Sequence, residues 1–411
     1  MLFSRVARPA VAAIALVVAM LALPVASASQ SQPRQRGRAL GIPFPGKTGP
    51  NNAITDVAGI AVGHATIIQG DGVLVPGKGP IRTGVTAILP RPKGNWDPVF
   101  AATFNLNGNG DMTGINWIKE SGFMEGPILL TGTHSVGTVR DAAIQWQLKN
   151  GRQFTFTYPI VAETFDFLND ANGEHVKAVH AFQALDAAQP GPVQEGAVGG
   201  GTGMGCNGFK GGIGTASQIV NANGGPYTLG VLVQCNYGGD LRILGVPVGQ
   251  EITDLRMCNA LAKPGAGGCP AGGGGSTSDA LESQYERRGS IIVIVATDAP
   301  MLPHQLERLG RRVGMGLGRL GSWAGNSSGD LFLAFSTANP GANASQGTPA
   351  LKMLPNNQMD PFFRATIDAT EEAVVNAMLA AETMTGVNGL RVFGLPGDRV
   401  VAALKKYGRM K

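Results

Sequence analysis

KPGAGGCPAGGGGSTSDALESQYERRG (263–289) runs directly into SIIVIVA (290–296). The first stretch has the composition of a flexible linker, rich in Gly, Pro and Ser. The second is a continuous β-branched run, the pattern of a central strand covered on both faces. A linker normally enters a domain through an edge or a turn, yet here it meets a core strand with no turn signal between them. Cleavage between Gly289 and Ser290 would resolve that conflict. Ser290 would then open a rigid strand, and the linker could swing away from it. A serine exposed in this way carries its own base, because a free α-amine has a pKa of about 7.7–8.0, against about 10.4 for lysine. A glycine before it admits the strained backbone of an N-to-O acyl shift. Gly-Ser also occurs at 275–276 and 321–322, so the dipeptide selects nothing without its position.

On the C-terminal side, Pro303 to Leu320 reads as a helix. Leu306, Leu309, Val313, Leu317 and Leu320 share a face, and Arg308, Arg311, Arg312 and Arg319 lie mostly opposite. Its glycines lower helix propensity and imply close packing on a neighbour. Asp330–Ser336 reads as another strand. Asp360-Pro361 supplies an N-cap and first-turn proline for a helix that carries Phe363, Ile367, Val374 and Met378 on one face and stops near Gly386. A short helix over about 398–407 ends the chain. On the N-terminal side, Gly59–Val62, Val85–Leu89, Val99–Phe104, Ile128–Thr131, Phe154–Val161 and Tyr227–Val233 read as strands. Ser135–Lys149 and Glu174–Ala188 read as helices. The sum is a mixed α and β chain of layered sheets and helices.

The chain has 411 residues, 43% of them hydrophobic, ample for a large buried core. No internal repeat of 20–50 residues is visible. Residues 1–28 read as a signal peptide: Arg5 and Arg8, an apolar run from Val11 to Leu23, then Ala26-Ser27-Ala28 for cleavage. A retained membrane anchor is the other reading. No second long apolar run follows, so a soluble, exported protein, periplasmic or secreted, is expected. Removing residues 1–28 lowers the formal charge from +5 to +3, and the basic residues are scattered, so nucleic acid is not an implied partner. Residues 29–50 look like an extended polar arm. Four cysteines suit an oxidising compartment. A Cys258–Cys269 bridge would close a short loop, and Cys206 and Cys235 could pair or be buried thiols. The spacings match no zinc pattern.

The usual sources of hydrolytic chemistry are thin. There is no G-x-S-x-G elbow and no HExxH, and the five histidines (64, 134, 175, 180 and 304) form no evident group. Gly199–Gly214 lacks the Lys-Ser/Thr of a phosphate loop and reads as tight turns. An N-terminal nucleophile needs neither histidine nor cofactor.

GSIIVIVATDAPMLPHQLERLGRR (289–312) closely resembles the junction of the L-aminopeptidase D-amidase/esterase and β-peptidyl aminopeptidase family. ITDVAGIAVGHAT (54–66), NLNGNGDMTG (105–114), PIVAETFDFLND (159–170), GGGTGMGCNGFKGGIGTAS (199–217), VLVQCNYG (231–238) and NSSGDLFLAFSTAN (326–339) resemble it in the same order. The resemblance implies an αββα sandwich, like that of N-terminal-nucleophile hydrolases but with different connectivity. It implies self-cleavage into an α chain (29–289) and a β chain (290–411) that together form one domain. It also implies release of N-terminal residues from small peptides, amides or esters, and a homotetramer of α/β pairs. Position by position, Ser290 matches the nucleophile and Asn236 the oxyanion-hole asparagine. Ser328 and Asp330 match the pair that orients the nucleophile's α-amine, and Glu163 the carboxylate that holds the substrate ammonium.

Read without the resemblance, Asn236 is a turn asparagine, Ser328 and Asp330 belong to an Asx-type turn, and Glu163 is a strand-end carboxylate. Two positions depart from the family. Asp330 stands where some relatives carry the longer Glu. Phe165 stands where some carry an aromatic with a polar tip, so it cannot donate a hydrogen bond and would shape the substrate pocket instead. Two alternatives share the fold: an acyltransferase like the ornithine acetyltransferases, and a non-catalytic exported binding protein. The intact set Ser290, Asn236, Glu163, Ser328 and Asp330 argues against the second.

Overall fold

A computed structural model describes Met1, residues 35–264, Gly268, Cys269 and residues 289–411. The signal-peptide reading of 1–28 and most of the 263–289 linker lie outside the described residues. Arg34–Lys411 forms one compact unit. In chain order its strands begin with β1 (Ala61–Gln69), β2 (Ile81–Leu89), β3 (Val99–Gly108), β4 (Phe123–Met124), β5 (Ile128–Gly132) and β6 (Ile160–Thr164). Then come β7 (Gly205–Cys206), β8 (Phe209–Lys210), β9 (Gly212–Val220), β10 (Tyr227–Asn236) and β11 (Cys258–Pro264). The remainder are β12 (Ser290–Thr297), β13 (Gly329–Ser336), β14 (Met384–Thr385) and β15 (Leu390–Val392).

Two sheets dominate. One has the order β1-β2-β5-β6, the other β4-β3-β13-β12-β10-β9. SIIVIVA forms β12, in the interior of the larger sheet, parallel to β13 and antiparallel to β10. Strand alternation sends Ile292, Ile294 and Ala296 toward the other sheet, where they pack with Ile88, Ile128, Leu130 and Ile160. Ile291, Val293 and Val295 point outward, onto Leu306, Leu309, Val313 and Val374 of the helices Pro303–Arg319 and Asp360–Ala380. On the far side of the smaller sheet, Val85, Ala87, Leu129 and Val161 pack on Val139, Ala143 and Trp146 of the helix Val136–Lys149 and on Ala184 and Leu185 of the helix Ala178–Asp186. Helix, sheet, sheet, helix: the αββα sandwich is present. A buried β-branched run in β12 is its centre because both faces are covered.

Glycine sets the spacing of these layers. In the helix Pro303–Arg319, a Cβ at Gly310 would lie 3.0 Å from Phe104 Cβ, and one at Gly316 would lie 2.9 Å from the Ile367 carbonyl. At Gly214 of β9 an added Cβ would run into the Ala373 carbonyl oxygen and sit 2.7 Å from Ala377 Cβ. Gly214→Ala is therefore expected to destabilise the fold by about 1–3 kcal/mol, measured as a shift in denaturant or thermal midpoint.

Several elements differ from their sequence reading. Of Phe154–Val161 only Ile160 and Val161 are strand; β6 starts at Ile160, because Pro159 has no N–H for a ladder and Phe156 and Tyr158 are exposed. The expected helix from Glu174 begins at Ala178, since Glu174 has φ +50° and Lys177 is extended. The stretch Gly199–Gly214, expected to be tight turns, also holds the short strands β7 and β8 and the start of β9. Asp360 is the first helical residue rather than the cap, and that helix ends at Ala380, where Ala381 turns extended toward β14. It is buried nearly all round, not on one face, because the larger sheet, the neighbouring helix Pro303–Arg319 in the same layer and the docked arm all cover it. The arm is docked: Arg36 donates to the Asn51, Asn52 and Thr215 carbonyls, Arg38 forks onto Glu372, and Ile42 and Phe44 enter the core. Both cysteine pairs are bridged, Cys206–Cys235 and Cys258–Cys269.

Candidate active site

Strands β12 and β13 start side by side, so the residues that open them meet. Ser290 stands opposite Gly329 in parallel register, Ile291 opposite Asp330, and Asn236 of β10 opposite Ser290 on the other side. Ser290 is buried, and its Oγ accepts a hydrogen bond from the Gly329 N–H at 3.2 Å. The same N–H lies 3.3 Å from the Gly289 carbonyl oxygen. A Cβ at Gly289 would lie 2.5 Å from Tyr237 Cα, so close packing on Tyr237, and not only backbone freedom, calls for glycine there.

Below Ser290, Ser328 Oγ donates to Asp330 Oδ1 at 2.7 Å. Asp330 Oδ2 is buried without a hydrogen-bond partner among the described residues. Burial pushes this carboxyl above its ordinary 3.8, while the Ser328 hydroxyl and the Ile291 N–H pull it back.

Glu163 lies near the end of β6. Its Oε1 accepts the Asp111 N–H at 3.0 Å, and its Oε2 accepts the Thr133 hydroxyl. Burial raises this carboxyl above 4.5, opposed by those two hydrogen bonds. Ser290, Glu163 and Phe165 line one cavity of about 530 Å³, completed by the Asn109–Asp111 loop, Thr133 and Ser327. Asn236 does not line it. It borders a smaller neighbouring cavity with Phe167, Gly205 and Tyr237. Its Oδ1 accepts the Gly205 N–H at 3.0 Å and its Nδ2 donates to the Phe165 carbonyl at 2.9 Å. Those two contacts fix which way round the amide sits, and leave one N–H of the NH₂ free of them. Phe165 is half-buried and packs on Phe167, Leu168 and Met257.

The structure thus gathers Ser290, Glu163 and Phe165 in one cavity, with Ser328 and Asp330 beneath it and Asn236 one strand away. Sequence reasoning missed Asp111, Thr133 and Asp166. Asp166, wholly buried beside Glu163 and bonded by Asn169 Nδ2 at 3.0 Å, is pushed up to about 7, mainly by burial. The motifs 105–114 and 159–170 contain Asp111 and Asp166, but only the fold sets them beside Glu163. The histidines supply no triad. His64 is half-buried, its Nδ1 bonded to Thr86, and is pushed down to about 4 by the burial of its ring, and His175 is tied to Asp170. Among the described residues, no group of three His, Cys, Asp or Glu side chains could hold a metal, and no helix is long and apolar enough to cross a membrane.

Peptidase family S58 matches residues 52–392. The beta-peptidyl aminopeptidase BapA of Sphingosinicella microcystinivorans is 49% identical over 380 residues, covering 91% of this chain and 93% of that one. The BapA of Sphingosinicella xenopeptidilytica is 46% identical, covering 96% of each. Among solved structures, the L-aminopeptidase D-Ala-esterase/amidase of Ochrobactrum anthropi, described as a variant of the Ntn-hydrolase fold, superposes with a TM-score of 0.81 at 43% identity over 92% of this chain and 99% of that one. A β-aminopeptidase from Burkholderia gives 0.77 at 43% identity, covering 91% and 99%. With this sandwich and these relatives, the chain belongs to peptidase family S58 and is an aminopeptidase of the N-terminal-nucleophile fold class.

Proposed function

We propose that the protein cleaves itself between Gly289 and Ser290 and then removes N-terminal residues from small peptides, amides or esters through an ester on Ser290. β-Aminoacyl substrates are the first to test, on the strength of the BapA relatives. The observation that carries the reading is the placement of Ser290 and Glu163 in one cavity, with an unpartnered Asp330 oxygen at the start of the adjoining strand. In self-cleavage, Ser290 Oγ attacks the Gly289 carbonyl carbon and the peptide nitrogen leaves as the α-amine. Water then hydrolyses the ester and frees the Gly289 carboxylate. The Gly329 N–H, beside both Ser290 Oγ and the Gly289 oxygen, is placed to receive the developing oxyanion. The new α-amine would lie near Asp330, a buried carboxylate otherwise short of a partner.

In hydrolysis, Glu163 holds the substrate ammonium and Ser290 attacks the scissile carbonyl. The α-amine takes the hydroxyl proton and returns it to the leaving amine. Asn236 Nδ2 stabilises the oxyanion, Ser328 and Asp330 keep the α-amine in place, and water releases the product acid. The chain acts as an exported enzyme assembled from α/β pairs. Hydrolysis of aminoacyl p-nitroanilides tests the site: free amino acid should appear without an added acceptor amine, which an acyltransferase would require. N-acetylated substrates should be refused, and their ready hydrolysis would overturn the role of Glu163.

The pH dependence comes from the same groups. Glu163 binds an ammonium only when ionised, and burial raises its pKa. As pH falls through that raised value the carboxylate is lost, so KM should climb at a higher pH than an exposed glutamate would give. The α-amine works only when neutral, so kcat should decline below about pH 8. Glu163→Gln should raise KM by roughly 10–100-fold, the loss expected for a hydrogen bond to a charged group, and remove the acid limb of KM. A variant that keeps that limb would overturn the assignment.

A further inference from the structure

Glu163 is not the only carboxylate facing the cavity. Asp111 lines it too and is exposed, whereas Glu163 is buried. The two are joined through the backbone, since the Asp111 N–H donates to Glu163 Oε1. Glu163 is anchored at both oxygens, by that N–H and by Thr133. The Asp111 side chain has no ion pair among the described residues. Among the described residues that line the cavity none is Lys, Arg or His; His134, next to Thr133, is the nearby base that acts on Glu163. A substrate ammonium would neutralise one of two negative charges. The other is left facing the space that the N-terminal residue's side chain enters, beside the apolar ring of Phe165.

We propose that Asp111 is a specificity-determining residue that selects N-terminal residues with a cationic side chain, such as lysyl, ornithyl or β-homolysyl groups. This rests on the reading of Glu163 as the ammonium site. The methylenes of such a side chain lie along Phe165, and its terminal ammonium reaches Asp111 at the mouth, the arrangement long cationic side chains favour at a wet boundary. The charge pair is partly exposed, so its effect is moderate and falls with salt.

The test compares lysyl with norleucyl p-nitroanilide, and β-homolysyl with β-homoleucyl p-nitroanilide, on the full processed enzyme at low and high ionic strength. The wild type is expected to favour the cationic member in kcat/KM by roughly three- to tenfold at low salt, and by less at high salt. Asp111→Asn should bring the ratio close to one, and Asp111→Glu should restore it. Glu163→Gln should lower both members together. A wild-type ratio within twofold of one, or an unchanged ratio in Asp111→Asn while Glu163→Gln weakens both substrates, overturns the Asp111 assignment alone. Unaltered rates in Glu163→Gln overturn the ammonium reading beneath it.

Discussion

Ser290→Ala is expected to leave the mature chain in one piece and to lower aminopeptidase activity by at least about 10⁴-fold, the scale on which loss of a nucleophile is felt. Both effects come from one atom. In the proposed mechanism, the Oγ that accepts the Gly329 N–H is the atom that would attack Gly289 in processing and the substrate afterwards. Without it, on that mechanism, no ester would form, no α-amine would be released, and there would be no general base. Intact-mass measurement reads the first effect: the wild type should give two chains meeting at Gly289 and Ser290, and the variant one. Because alanine is smaller than serine and Ser290 is followed by a fully buried strand, the variant should fold, which its thermal transition will report. Ser290→Cys keeps a nucleophile and should still be cut. A Ser290→Ala chain that is cut at Gly289, or an active wild type that is never cut, would remove the basis of the mechanism.

The strand that opens at Ser290 was legible in the sequence because its signal is local. A run of five β-branched residues (291–295) has one good environment, and β12 occupies it. Helix Pro303–Arg319 was legible for a similar reason, its apolar residues repeating along one face. Legibility failed where neighbours decide. Strand β9 (GIGTASQIV) opens on two glycines; Gly214 answers to Ala373 and Ala377 of a helix more than 150 residues away in sequence, and Gly212 to the Gly196 backbone. The helix Asp360–Ala380 carries Asp368, Glu371 and Glu372, which look like a solvated face, yet all three are buried: Arg319 pairs with the first two and Arg38 with the third.

The site divides in the same way. Ser290 could be argued from its own surroundings, whereas Glu163, Asn236, Ser328 and Asp330 became candidates only through resemblance. Their chemistry depends on register: Ser290 opposite both Gly329 and Asn236, and Asp330 one residue further along. Asp111 and Thr133 carry no signature of their own. They matter because a backbone N–H and a hydroxyl from two separate loops converge on one buried carboxylate. The departure at Asp330 also has a physical setting. The shorter side chain still reaches Ser328 at 2.7 Å and leaves its second oxygen open.

Asn236→Ala is expected to separate processing from turnover. The Gly289 oxygen lies by the Gly329 N–H, so in the proposed self-cleavage the oxyanion would have a donor that this substitution does not touch. Asn236 is held differently: Gly205 pins its Oδ1, and the Phe165 carbonyl takes one N–H of its Nδ2. The N–H left over is a preset donor one strand from Ser290. A donor of that kind acts mainly on the charge that develops in the transition state, so its loss should lower kcat by about 10²–10³ with little change in KM. The variant should therefore still arrive as two chains, and hydrolyse slowly. Asn236→Asp should be at least as poor, since a carboxylate oxygen would face the Phe165 carbonyl and no donor would remain. The substitution also strips partners from the Gly205 N–H and the Phe165 carbonyl, at a cost of about 1–3 kcal/mol in stability. A melting curve recorded on the same sample separates that loss from the catalytic one. An Asn236→Ala enzyme within tenfold of wild-type kcat would place the oxyanion elsewhere, and one that stays uncut would show that a single donor serves both reactions.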